Sequence, residues 1–155
     1  MELKPDFEFV ADTVMGGVST GEVTQALYKD RDATRLTGGV SLANNGGFIQ
    51  MAFDLDNGAV VDASGFRGVE LEVCGNGAHY ELRLRTDQLR RPWQSFRASF
   101  DALPDWQVLR FAWDDFEGRK TDAVLDPARL RRIGVLAIGA EMRADVAVAA
   151  IRFYR

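Results

Sequence analysis

Hydrophobic and polar residues alternate along much of this chain, and no stretch keeps the spacing of an amphipathic helix over three turns. In the segment 68–75, for example, Val69, Leu71 and Val73 fall on one side of an extended chain and the glutamates between them fall on the other. This alternation is typical of strands that bury one face. The sequence therefore predicts an all-β fold.

Turn residues divide the chain into nine predicted strands, near residues 22–28, 33–41, 46–55, 68–75, 80–85, 93–101, 106–113, 133–139 and 146–154. The connection Gly75-Asn76-Gly77 favours a tight hairpin between 68–75 and 80–85, because Gly and Asn tolerate positive φ. At most one short helix is expected, near 126–132, where Asp126 precedes Pro127. Without crossover helices, two antiparallel sheets in a jelly-roll β-sandwich are favoured over a parallel fold.

The composition fits one domain, and neither a repeat nor a linker divides residues 1–155. Cys74 is the only cysteine, so an intrachain disulfide and a cysteine-ligated metal site are excluded, and a reducing cytoplasm suits the chain. The net charge of −4 argues against nonspecific binding to nucleic acid. No window approaches the roughly 20 apolar residues that span a bilayer.

Catalytic and metal sites have little support in the sequence. His79 is the only histidine, and no nucleophile motif accompanies it. The pairs Asp54/Asp56 and Asp114/Asp115 could serve a glycosidase-like enzyme, and Asp54, Asp56, Asn57 and Asp62 could hold calcium, but neighbouring acids on loops are usually turn residues. We therefore expect no catalytic residues, no metal and no cofactor.

The segment 83–97 is strongly basic, with five arginines against one acid, Asp87. Arginine and tryptophan are favoured anchors of protein interfaces, whereas the alternative is a solvated hairpin whose arginine stems cover apolar surface. A sugar-binding platform would instead use exposed rings and amides. The candidate partner or ligand surface comprises Arg83, Arg85, Arg91, Trp93, Tyr80 and Asn45, with Asn44 as a further amide for a sugar.

The run Asp12-Thr-Val-Met-Gly-Gly-Val-Ser19 resembles the opening signature of the complex I intermediate-associated protein 30 family. The resemblance continues through Gly38–Leu42, Asn45–Phe48, Gly75–Gly77, Trp93-Gln94, Trp106-Gln-Val and Leu130–Gly134, and covers roughly 7–154. It implies a galactose-binding-domain-like jelly roll. A structural role is favoured for the signature residues, with Asp12 and Ser19 available to bond to turn amides; the alternative is that Asp12 or Ser19 faces a ligand. The signature residues are Asp12, Met15, Gly16, Gly17, Ser19, Gly46 and Gly47.

The same resemblance implies a nonenzymatic role, since the family is an assembly factor for mitochondrial NADH:ubiquinone oxidoreductase and also occurs as a bacterial domain. The leading hypothesis is a bacterial cytoplasmic domain that binds another protein and assists assembly, chaperone-like, of a respiratory or other membrane-associated complex. The alternative is a carbohydrate or small-ligand binding module, which this fold allows.

Overall fold

The computed structural model describes residues 1–155, apart from the side chain of Asn45. Within these residues the chain forms two antiparallel sheets. The strands are β1 Glu8–Ala11, β2 Thr20–Tyr28, β3 Arg31–Val40, β4 Phe48–Asp54, β5 Gly68–Gly75, β6 His79–Thr86, β7 Ser95–Asp101, β8 Gln107–Ala112, β9 Glu117–Arg119, β10 Leu130–Ile138 and β11 Met142–Tyr154. Short 3-10 turns cover Asp12–Met15, Ala43–Asn45, Trp113–Asp115 and Pro127–Arg129.

The six-stranded sheet has the order β1-β4-β10-β6-β7-β9 and the five-stranded sheet the order β2-β3-β11-β5-β8. The predicted all-β sandwich of two antiparallel sheets is confirmed. The apolar strands β10 and β11 lie inside their sheets with a neighbour on each side, which explains why their sequences do not alternate cleanly. No described helix is long and apolar enough to cross a bilayer.

The hydrophobic core lies between the sheets and is built largely from alternate residues of the long strands other than β2, which has no buried residue. Val69, Leu71 and Val73 of β5 are completely buried, as the alternation predicts. From the other sheet, Leu82 and Leu84 of β6 meet them. The opposite side of each strand forms an outward face, and these two faces carry the polar side chains.

The predicted hairpin between β5 and β6 is wrong, because β5 pairs with β8 and β11 whereas β6 pairs with β7 and β10 in the other sheet. The Gly75-Asn76-Gly77 turn carries the chain from one sheet to the other. Its amides bond to other loops rather than across a hairpin: Gly75 N donates to Leu103 O (2.9 Å) and Gly77 N to Ala102 O (2.7 Å). Gly77 has φ +83°, a conformation that glycine adopts readily. A turn between two sheets therefore favours glycine just as a hairpin turn does.

The short helix expected near 126–132 is a single 3-10 turn, Pro127–Arg129, which Asp126 caps by accepting a hydrogen bond from Ala128 N (3.0 Å). The chain then enters β10 at once, because Leu130 and Ile133 are core residues. The sequence prediction omitted two strands, β1 and β9, which are short and lie at the two edges of the six-stranded sheet.

Candidate functional site

The arginine-rich segment lies on the outward face of the six-stranded sheet. Arg83 of β6 is paired in register with Arg97 of β7, and on its other side β6 places Arg85 beside Arg132 of β10. Side chains two residues apart on a strand share a face, so these arginines project from the same surface. Residues 83, 85 and 97 are thus brought together as the alternation predicts.

Two of these arginines share one carboxylate. Glu81 accepts hydrogen bonds from Arg83 Nη2 (2.8 Å) and from Arg97 Nη1 (3.4 Å). Arg97 also pairs with Glu117 on the edge strand (3.2 Å). Burial lowers the pKa of the Arg83 guanidinium, although Glu81 opposes this effect. Arg83 therefore keeps its charge but is largely occupied by Glu81.

Arg85 is held by the loop that follows β6. Its Nη1 donates to the carbonyl oxygens of Pro92 (2.7 Å) and Gln94 (3.1 Å). It forms no ion pair with any described carboxylate. Burial lowers the pKa of Arg85, and the neighbouring Arg131 and Arg132 lower it further. A cation is therefore positioned on this face without a counter-charge.

Gln94 determines the shape of the same loop. Its Oε1 accepts hydrogen bonds from Arg90 N (3.1 Å) and Arg91 N (3.0 Å), and its Nε2 donates to Lys120 O (3.1 Å). Trp93 is left 59% exposed, with the Arg91 guanidinium 5.9 Å from its ring centroid. Arg91 and Trp93 are thus surface residues beside Arg85.

Tyr80, another residue of the predicted surface, is placed differently. Tyr80 is completely buried, and its hydroxyl donates to Asn76 Oδ1 (2.7 Å) and accepts from Asp145 N (2.9 Å), which corrects the expectation that it faces a ligand. No local pattern could have indicated this, because a buried tyrosine whose hydroxyl is hydrogen-bonded follows the same alternation as an exposed one. The side chain of Asn45 lies outside the described part of the structure, and Asn44 precedes β4 at the end remote from Trp93.

A small cleft of about 60 Å³ opens on this face and is called here the arginine cleft. Its walls are formed chiefly by Gln50, Arg83, Arg85, Trp93, Ser95 and Arg132. Gln50, Ser95 and Arg132 were not predicted from the sequence, since they reach the cleft through strand pairing. Gly134 is part of the floor, and a Cβ there would collide with the Gln50 amide. A glycine inside an otherwise apolar strand is the only sequence signal that could have indicated the cleft.

The glycine-rich signature forms a second polar cluster around Asp12, which is completely buried. Its carboxylate accepts hydrogen bonds from Ser19 N (3.0 Å), Ser19 Oγ (2.5 Å) and Gly47 N (2.6 Å), and a longer one from Phe48 N (3.3 Å). Burial alone would raise the pKa of Asp12, but these bonds outweigh it and hold the pKa below its ordinary value.

The signature glycines surround this carboxylate. A Cβ on Gly17 would lie 2.6 Å from Asp12 Oδ1, and one on Gly46 would lie 2.5 Å from Oδ2. Gly16 ends the first 3-10 turn with φ +85°. Met15 is 60% exposed and makes no part of the cluster. The Asp12 cluster thus has its hydrogen bonds satisfied internally.

The other sequence candidates do not converge. His79 Nδ1 lies 2.8 Å from Asp101 Oδ1, with both side chains exposed on the six-stranded sheet. Asp115 Oδ2 accepts a hydrogen bond from Ala112 N (2.8 Å), as a turn residue does. Among the described residues, no group of three or more His, Cys, Asp or Glu side chains could hold a metal ion. His79, Asp114 and Asp115 line neither of the two clefts on the sheet faces.

On the outward face of the five-stranded sheet, most arginines are paired with carboxylates. Arg152 pairs with Glu2 (2.9 Å), with Glu72 (2.5 Å) and with Glu70. Arg31, Arg35 and Arg110 each contact a carboxylate as well. A larger cleft of about 480 Å³ opens on this sheet at the bulge in β11, with walls that include Ala26, Ala33, Ala149 and Ala150. It presents no cation to a ligand.

Comparison with known proteins gives a family and a fold. The family model described as "Complex I intermediate-associated protein 30 (CIA30)" matches residues 2–147. Among curated proteins no relative is detected.

Several solved structures with a similar fold are carbohydrate-binding modules. The chain is similar to a family 11 carbohydrate-binding module from Clostridium thermocellum in complex with a β-1,3-1,4-mixed-linked tetrasaccharide, with TM-score 0.77, 10% identity and coverage of 99% of this chain and 94% of that one. A family 30 module from a cellulosomal cellulase of the same organism gives TM-score 0.68, 16% identity and coverage of 99% and 95%. At such identities the likeness establishes the fold alone, and the predicted jelly-roll β-sandwich is confirmed.

Proposed function

Since the chain belongs to the complex I intermediate-associated protein 30 family, we propose that it is a nonenzymatic domain that binds a protein partner during assembly of a respiratory or other membrane-associated complex. The docking surface is the outward face of the six-stranded sheet around Arg85, Arg91 and Trp93. This proposal places the domain in the cytoplasm of a bacterium, where Cys74 would stay reduced.

The observation that carries the proposal is an arginine without a described carboxylate partner beside an exposed tryptophan on the six-stranded sheet. On the five-stranded sheet, Arg152 is surrounded by carboxylates. On the six-stranded sheet, Arg85 has no described carboxylate partner and stands next to a tryptophan that is 59% exposed. Tryptophan and arginine are both enriched among the residues that contribute most to binding at protein interfaces.

Affinity capture from extracts of the native cells tests this proposal. Tagged wild-type protein should enrich subunits of an NADH:ubiquinone oxidoreductase or another membrane-associated complex, identified by mass spectrometry. The Arg91→Glu/Trp93→Ala variant should lose that enrichment, because the substitutions remove the exposed anchor and reverse a charge. The matched control is Arg143→Glu/Val108→Ala, which alters exposed residues of the five-stranded sheet. Equal enrichment by both variants would contradict the proposal.

The second candidate function is carbohydrate binding, which the fold of the neighbouring structures favours. A sugar platform needs several exposed rings. Trp93 is exposed on the arginine side of the face, whereas Phe100, Phe111 and Phe116 are buried. A glycan array that gives a signal lost in Trp93→Ala would favour this function over protein binding.

A further inference from the structure

The arginine cleft contains donors that the protein itself does not satisfy. The hydroxyl of Ser95 has no hydrogen-bond partner among the described residues, although Ser95 is only 4% exposed. Buried hydroxyls in folded proteins are nearly always bonded, because an unbonded one has lost its water without replacement. Ser95 is therefore an unsatisfied group within a cleft that opens to the surface.

The strand register places Ser95 next to Arg85. Leu84 of β6 pairs with Phe96 of β7, so the next residues in each direction, Arg85 and Ser95, face outward together. On the other side, Arg85 is paired with Arg132. Arg85 thus has Ser95 on one neighbouring strand and Arg132 on the other, and all three residues line the arginine cleft.

The two arginines use only part of their donor capacity. Arg85 employs Nη1 for both loop carbonyls, which leaves Nε and Nη2. Arg132 employs Nη1 for Asp54 (2.8 Å) and Nη2 for Glu8 (2.6 Å), which leaves Nε. Guanidinium and hydroxyl groups that converge in this way match a ligand that only accepts hydrogen bonds, and a planar carboxylate accepts two from a guanidinium.

The size of the cleft indicates whether the carboxylate belongs to a protein side chain or to a free small molecule. At about 60 Å³ it has room for one small group, whereas pockets for whole small molecules measure roughly 300–1,000 Å³. Trp93 projects at its edge and would cover the chain that carries the group. A side chain that enters from a partner surface fits both features.

We infer that the arginine cleft binds the carboxylate of an Asp or Glu side chain in an acidic segment of the partner protein, with Arg85 and Ser95 as donors and Arg132 beside them. This inference rests on the proposed function, because it names the chemistry of the segment that docks. Arg85 donates through Nε and Nη2, and Ser95 through Oγ.

A blocked triglutamate peptide is the probe, with a blocked triglutamine peptide as its neutral counterpart. NMR titration of wild-type protein should move the Arg85 Nε–H and Trp93 indole signals with triglutamate and leave them unchanged with triglutamine. Arg85→Gln should weaken triglutamate binding about tenfold or more, because one charge-assisted pair is lost. The control Arg143→Gln removes one exposed arginine from the other sheet and should bind as wild type does.

Ser95→Ala separates binding from folding. Removal of an unbonded buried hydroxyl should leave the thermal midpoint unchanged or raised, while triglutamate affinity falls several-fold.

The inference is overturned if triglutamate fails to saturate wild-type protein, if it binds wild type and Arg85→Gln equally, or if the mixed-linked tetrasaccharide moves the Arg85 signal instead. If partner capture still depends on Arg91 and Trp93 in those cases, only the carboxylate inference fails. If triglutamate binds but capture shows no such dependence, only the proposed function fails.

Discussion

At the scale of single residues, Asp12 holds the glycine-rich loops together. Its two oxygens accept four hydrogen bonds, from the amides of Ser19, Gly47 and Phe48 and from the Ser19 hydroxyl. All four partners are donors, so the site requires an ionised carboxylate. The signature thus joins the start of the chain to the turn before β4.

Asp12→Asn should lower the free energy of unfolding by about 2–3 kcal/mol, because the new amide group points a donor at other donors in a buried site. Urea unfolding at neutral pH measures the change. Asp114→Asn, at an exposed acid, is the matched control and should change stability by less than about 0.5 kcal/mol. Equal losses in the two variants would show that the Asp12 bonds contribute nothing specific.

The arginine cleft also shows how one residue acquires a role from its neighbours. Arg85 is one of 16 arginines in the chain, and nothing in its own sequence context distinguishes it from Arg83. The structure distinguishes them because Glu81 bonds to Arg83, whereas loop carbonyls bond to Arg85. The unpaired cation is therefore identified by contacts rather than by residue type.

At the scale of elements, the glycines of the signature form a close-packed turn around one side chain. A Cβ at residue 17 would displace the Asp12 carboxylate, whereas a Cβ on Gly39 in β3 meets no atom within 4 Å. Some positions require glycine for a positive φ and others because a side chain would not fit. Gly17 belongs to the second kind.

Gly17→Ala should cost about 1–3 kcal/mol of stability, since the added methyl overpacks the Asp12 site, while Gly39→Ala should be nearly neutral. Differential scanning calorimetry of both variants checks the contrast. Combined with Asp12→Asn, Gly17→Ala should cost less than the sum of the single losses, because both act on one cluster. Additive losses would argue against that shared cause.

The Gly75-Asn76-Gly77 turn shows what local sequence predicts about a turn and what it does not predict about the pairing of the flanking strands. Positive φ at Gly77 is what a hairpin turn requires, but here the flanking strands separate into different sheets. Local chemistry determines that the chain turns, and the strands available for pairing determine where it goes next.

At the scale of the whole molecule, the two outward faces differ in their electrostatics. The hydrogen bond from Arg110 lowers the pKa of Glu70, with Arg152 adding to it, and the bond from Arg152 lowers the pKa of Glu72. These ion pairs connect β5, β8 and β11 with the segment around Glu2. The five-stranded face is thus a stabilising network, and the six-stranded face retains unsatisfied donors.

The free energy of unfolding should fall as the pH drops below the ordinary pKa of these groups. Asp12, Glu70 and Glu72 all have a lowered pKa in the folded protein, so the unfolded chain takes up protons first. Their contribution is present above their ordinary pKa and is lost as the pH falls through the folded-state value. Urea unfolding between about pH 7 and 3 should show a plateau and then a decline.

Arg152→Gln tests the cause of that decline. The variant should be less stable at neutral pH and should lose less stability on acidification, because Glu70 and Glu72 then protonate closer to their ordinary values. A decline as steep as that of wild-type protein would show that other groups control the acid response.

The sequence by itself determined the all-β class, most strand positions and the turn residues, because alternation and backbone preferences act over a few neighbouring residues. The signature also pointed to Asp12 and Ser19 as partners of turn amides. Only the tertiary structure decided which strands share a sheet, that Tyr80 is buried, and that Gln50, Ser95 and Arg132 meet Arg85. Those outcomes depend on pairing between strands far apart in the chain, which no local pattern encodes.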